Sequence, residues 1–302
     1  MTSGRKRAPI GEAKVHLLHI SDPELSARHS TGARKRATLL LGFLLPLQRA
    51  AAEVLGPQGD VSLLVANSHD WRLICNYPYG LPFTRNLPNA AVIVAAADYS
   101  ERLTRRFDDL LLEAGHAGVR APGQMGEFLD LLIGHEWGHA MANRSGLRTG
   151  VKWLDEFMAT YLFVQALAAT GVIESRELLR RWTALQVAAT RHVKGALDDF
   201  EYPRGRMSLS KLLWFQGVFT QRALELAPDL GWSLALDLRA ALPAAEGGRF
   251  RRHKGDVARA LIDAEPSFRN WFAIFGDAPV VDEQEEPVVV LGSGELGGSG
   301  EA

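Results

Sequence analysis

The chain has 302 residues, enough for one large domain or two small ones with a full core. Apolar residues make up 47% and charged residues 23%, and the formal net charge of -1 excludes a bulk electrostatic attraction to nucleic acid or to an anionic membrane. A single cysteine, Cys75, excludes an intramolecular disulfide and any cysteine-rich metal site.

Residues 1–14 read as a flexible N-terminus, with Arg5-Lys6-Arg7 as a short solvated cluster. No long apolar stretch follows a basic start, so no signal peptide is expected. The most apolar run, Leu39 to Leu47, is short for a bilayer and contains Pro46. The expectation is a cytoplasmic protein with no membrane segment and no nucleic-acid partner.

Residues 15–122 read as a sheet-containing subdomain. Val15 to Ile20, Val61 to Ala66, Trp71 to Cys75 and Ala90 to Ala97 are short, rich in Val, Ile, Leu or Ala, and bounded by turn residues, which predicts strands. Cys75 is then a buried structural thiol. A helix is predicted over Ala33 to Leu55, ended by Gly56-Pro57, and another over Ser100 to Ala114, capped by its serine. Tyr77-Pro78-Tyr79-Gly80-Leu81-Pro82 reads as a loop.

Residues 123–280 read as helical. The predicted helices cover Gly126 to Asn143, Leu154 to Ala169, Ser175 to Gly195, Ser208 to Leu226, Pro228 to Leu242, Asp256 to Ala264 and Ser267 to Phe275. Pro228 suits a first helical turn. Residues 281–302 form an acidic, then Gly/Ser-rich tail expected to be disordered. Strands first and helices afterwards predict an α+β fold, a mixed sheet region followed by a mostly helical one.

The chemistry concentrates in His135-Glu136-Trp137-Gly138-His139. Histidines four apart on a helix lie one turn apart on one face, so both can reach one cation. Glu136 is turned about 100° from His135 and flanks such a cation without binding it. Two neutral imidazoles suit Zn²⁺, and the neighbouring carboxylate can serve as general base. A catalytic zinc takes three protein ligands and keeps one open position. Seventeen positions after His139 comes Glu156, in Trp153-Leu154-Asp155-Glu156-Phe157-Met158-Ala159-Thr160-Tyr161. Glu156 supplies the third ligand from the start of the next helix, with Asp155 as the rival, since adjacent helical residues cannot both face the metal. The intervening loop, with Gly146 and Gly150, lets the two helices pack side by side.

His-Glu-x-x-His followed by Trp-Leu-Asp-Glu-x-x-Ala-x-Tyr resembles the gluzincin metallopeptidases, in particular the zinc aminopeptidase branch, alongside thermolysin. The resemblance covers about residues 128 to 165, and more weakly Ser208 to Leu226. It implies a zinc peptidase acting on a peptide or protein substrate, with His135, His139 and Glu156 as metal ligands and Glu136 as catalytic base. Asp155 departs from the family pattern, which commonly has Asn there, and is expected on its own to orient a ligand histidine from behind.

The family's transition-state tyrosine falls at Trp214, in Trp214-Phe215-Gln216-Gly217. Trp214 is thus one candidate donor, with Tyr202 and His192 as substitutes. The acidic motif that holds a substrate amino terminus in the aminopeptidases has no counterpart here. The strand Ala90 to Ala97 reads either as the sheet edge that pairs with an extended peptide or as a plain core strand. Trp137 and Trp153 line a pocket or pack in the core. The alternative is a metallopeptidase fold serving as a binding or regulatory protein with weak or no catalysis.

Overall fold

The computed structural model describes residues 15–57, 59–118, 125–201, 207–242 and 254–275. The N-terminal segment, Tyr202 and the acidic tail lie outside the described residues.

Five strands form one mixed sheet: β1 (Leu18–Ile20), β2 (Ser26–His29), β3 (Asp60–Ala66), β4 (Phe83–Asn86) and β5 (Ala90–Ala96), in the order β1-β2-β3-β5-β4. β2, β3 and β5 are parallel, while β1 and β4 run antiparallel along the two edges. Each parallel step needs a crossover. The first is α1 (Arg34–Leu55), and the second contains α2 (Ser68–Ile74) and β4.

Strand alternation divides the sheet's apolar residues between two layers. Leu63, Val65, Ala91, Ile93 and Ala95 join the main core. Leu64, Ala66, Val92, Val94 and Ala96 meet Trp71 in a smaller cluster edged by Tyr79 and Phe83.

The remaining helices are α3 (Glu101–His116), α4 (Met125–Arg144), α5 (Lys152–Ala169), α6 (Ile173–Ala189), α7 (Leu209–Leu230), α8 (Ser233–Ala241), α9 (Lys254–Ala264) and α10 (Phe268–Phe272). Tighter 3-10 turns cover Leu197–Glu201 and Ala273–Phe275. The fold is α+β. Its main core is continuous from Leu25 in the sheet region to Phe275 in the helical one, so the two regions share one interior.

Helix α1 is long and apolar enough, by length and composition, to cross a bilayer. Here it buries Leu40, Leu44 and Leu47 in the main core and touches β2, β3, α4 and α5. Its Arg36 pairs with Asp130 of α4, and both reach the Tyr99 hydroxyl, which also donates to Asp130.

Four sequence expectations are corrected. Trp71 to Cys75 is not a strand: it belongs to α2, whose cap Asn67 accepts from the backbone N–H groups of His69 and Asp70 at 3.1 and 2.9 Å. That cap outweighs the β-like composition of a short run. Cys75 ends the helix and is half-buried rather than buried. Pro228 does not open a helix but sits in the last turn of α7, which ends at Leu230 before α8 begins. Helix α6 stops at Ala189, short of Gly195. Of the two readings of the strand at Ala90–Ala96, the core strand fits: it lies inside the sheet, between β3 and β4, and the edge beside it is β4.

Candidate metal centre

Helix α4 carries three glycines, although each costs a helix interior about 1 kcal/mol relative to alanine. Two of them, Gly134 and Gly138, are one turn apart and buried against α5. A Cβ on Gly134 would collide with the Phe163 ring, and one on Gly138 with the backbone carbonyl of Ala159. The two helix axes can therefore approach more closely than helices with larger side chains at the seam.

His135 and His139 occupy the neighbouring stripe of α4, also one turn apart, with ring centroids separated by 4.7 Å. The loop of residues 145–151 reverses the chain with Gly146 and Gly150 at φ of 76° and 79°, a region where other residues are strained. This delivers the first turn of α5, and with it Glu156, to the histidines.

One oxygen of Glu156 is the focus. Its Oε2 lies 3.3 Å from His135 Nε2 and 3.4 Å from His139 Nε2. The three ligand atoms all fall within 4.8 Å of one another. The side chains keep 13%, 21% and 20% exposure for His135, His139 and Glu156, so the group is sheltered yet reachable from solvent.

Thr160, one turn beyond Glu156, completes the arrangement. Its hydroxyl donates to the Glu156 carbonyl at 3.0 Å, and its oxygen lies 3.1 Å from His135 Nδ1. A hydroxyl has one proton to give, so toward His135 it accepts, and Nδ1 carries the hydrogen. His135 Nε2 then presents a lone pair to the Glu156 carboxylate. Two acceptors facing each other at 3.3 Å are stable only with positive charge beside them.

His139 reports the same demand. Burial works to lower its pKa, but the Glu156 carboxylate, by charge and by hydrogen bond, prevails, and with Glu136 and Asp155 it pushes the imidazole up to about 9. Burial likewise works to raise the Glu156 pKa, yet His139, by charge and by hydrogen bond, holds it well below the usual carboxylate range. Without a metal, a proton on His139 supplies the positive charge. Two imidazoles and one carboxylate converging on a point that favours a cation fit a bound divalent metal.

The other sequence candidates are placed as follows. Glu136 is half-buried on the metal-site helix, and its backbone carbonyl accepts from the Thr84 hydroxyl of edge strand β4 at 2.6 Å. Asp155 points into the α4–α5 loop instead of at a histidine: its Oδ1 accepts from Thr149 N at 2.7 Å and from Thr149 Oγ1 at 3.0 Å. Burial raises its pKa, and the Thr149 hydrogen bonds oppose that shift. The side chain that contacts His135 from behind is Thr160 instead.

Trp214 packs against Phe215 and Phe275 in an aromatic cluster. The residue that α7 brings to the site is Gln216, whose Nε2 lies 3.4 Å from Glu156 Oε2. Two residues along a helix turn the direction by about 200°, which is why Trp214 and Gln216 face opposite ways. His192 is exposed in the turn after α6. Trp137 is fully buried and donates to Gln48 Oε1 at 2.9 Å, and Trp153 packs edge-on to Phe272, so both tryptophans are core residues.

Thr160 and Gln216 escaped the sequence reading. A threonine one turn after the predicted third ligand was the available signal for the first, and a glutamine within the weakly matching helix was the signal for the second. Comparison with protein-family profiles, curated proteins and solved structures gave no match for this chain.

Proposed function

We propose that this protein is a zinc-dependent peptidase of the gluzincin type. The observation that carries the reading is the convergence of His135, His139 and Glu156, with two imidazole nitrogens at 3.3 and 3.4 Å from one carboxylate oxygen. Tetrahedral ligands at about 2.0–2.1 Å from zinc stand about 3.3–3.4 Å apart, so this spacing suits zinc.

Zinc held by these three residues would act as a Lewis acid, acidifying water and polarising a carbonyl. Glu136, next to His135 on the same helix, is the general base of the reading. Its carboxylate accepts a proton as water attacks the peptide carbonyl. It then delivers that proton to the departing amine nitrogen as the C–N bond breaks. Strand β4 supports a peptide substrate, because no strand borders its outer edge among the described residues and Thr84 ties it to the backbone of Glu136. An extended chain can add to such an edge through backbone hydrogen bonds.

The test is Glu136→Gln, assayed for peptide turnover and for bound zinc. The expected result is retained stoichiometric zinc with turnover lowered at least ~100-fold. Undiminished turnover would overturn the assignment of the base. Stoichiometric zinc in a wild-type protein inert toward a broad peptide library would favour the binding-module alternative.

A further inference from the structure

We propose that Gln216 is a positioning residue of the metal centre: its side-chain amide donates to Glu156 Oε2 and keeps that oxygen turned toward the two histidines. The proposal rests on the metal-centre reading above and adds a residue from a third helix.

The argument begins with Glu156. A glutamate side chain has three rotatable bonds, and its terminal torsion is broad and nearly two-fold, so nothing intrinsic selects one carboxylate oxygen. Yet among the described residues the histidine and glutamine contacts all fall on one oxygen. Oε2 stands 3.3 Å from His135 Nε2, 3.4 Å from His139 Nε2 and 3.4 Å from Gln216 Nε2. The histidines approach from α4 and Gln216 from α7, so the carboxylate of α5 is held between two helices. A carboxylate oxygen has two lone pairs, enough to accept the amide N–H and to bind a cation at once.

The donor is itself well fixed. Its neighbours Phe215 and Gly217 are buried, as is Phe219 one turn further. A Cβ on Gly217 would lie 3.2 Å from both Gln186 Cβ and Val187 Cγ2, so α7 is pressed against α6 at this point. The chemistry of the amide also suits the task. It is neutral, whereas a lysine or arginine there would offset the Glu156 charge and weaken its hold on a cation. It does not titrate, so it donates across the whole working pH range.

The experiment compares the full-length wild-type protein with Gln216→Met, which keeps side-chain length without the donor, and Gln216→Asn, which keeps the amide but is one methylene too short. Zinc affinity is read by competition with a chromophoric chelator. The visible spectrum of the cobalt(II)-loaded protein reports the ligand arrangement, and melting of the metal-free protein controls for folding. Both variants are expected to bind zinc roughly 10-fold or more weakly, within the range for groups that orient metal ligands. They should also show an altered cobalt spectrum and unchanged metal-free melting. Wild-type zinc affinity and cobalt spectrum in either variant would overturn the proposal. A loss of affinity that merely tracks a lower metal-free melting temperature would overturn it as well. If the wild-type protein takes up neither zinc nor cobalt, the metal-centre reading itself falls, and this proposal with it.

Discussion

A Cβ on Gly138 would lie 2.7 Å from the carbonyl carbon of Ala159 and closer still to its oxygen. The contact is with backbone, so it cannot be relieved by turning a side chain. In Gly138→Ala the two helices must separate, and Glu156 moves away from the histidines with α5. Alanine's higher helix propensity would by itself stabilise by about 1 kcal/mol, whereas overpacking costs about 1–3 kcal/mol. The expected net result is a loss of up to about 2 kcal/mol in urea unfolding and weaker zinc binding. The control is Gly42→Ala in α1, an exposed position with nothing within 4 Å of the added carbon. That substitution should stabilise by about 0.5–1 kcal/mol. Equal gains at both positions would show that Gly138 is not the contact that sets the helix spacing.

The Thr160 hydroxyl fixes His135 in the tautomer that a metal needs, with Nδ1 protonated and Nε2 free. Thr160→Val preserves the shape and removes the acceptor. The prediction is a zinc affinity lowered about 10-fold, with Thr160→Ser restoring most of it. Nitrogen chemical shifts of His135 in the metal-free protein check the cause directly: the Nδ1–H form should dominate in the wild type and lose that dominance in the valine variant. Unchanged shifts would remove Thr160 from the account.

Much of the site was legible because it is written in local spacing. Histidines four apart on a helix must share a face, and an acidic helix start after a short reversing loop must fall beside them. What escaped depends on contacts between segments distant in sequence. Glycines 134 and 138 look like helix weaknesses until Phe163 and Ala159 are set against them. Asp155 reads as a partner for histidine, but Thr149 is nearer in the fold. Gln216 and Trp214 sit two residues apart, and only the packing of α7 decides which of them meets Glu156. In the sheet, β2 and β4 span four residues each, too few for a period-two pattern to emerge, and so the true edge strand went unread.

Asp130 ties α4 to α1 on the N-terminal side of the His135–His139 pair. It lies five positions before His135 and binds Arg36 of α1, with Tyr99 donating to the same carboxylate. The Arg36 and Asp130 side chains are 17% and 24% exposed, so the pair is largely withdrawn from water. Burial, and then the Asp130 charge, push the Tyr99 hydroxyl pKa well up, which keeps it a donor. Asp130→Ala would leave a guanidinium and a hydroxyl without their shared acceptor. Breaking one side of such a pair costs about 3 kcal/mol, since the stranded charge has lost its compensation. Replacing all three members with apolar groups of similar size, as Arg36→Met, Tyr99→Phe and Asp130→Leu together, removes the desolvation penalty along with the attraction. The triple variant is therefore expected to be more stable than Asp130→Ala alone, as measured by urea unfolding. If Asp130→Ala lies within about 0.5 kcal/mol of wild type, the size of effect ordinary for an exposed pair, the cluster does not anchor α4 to α1.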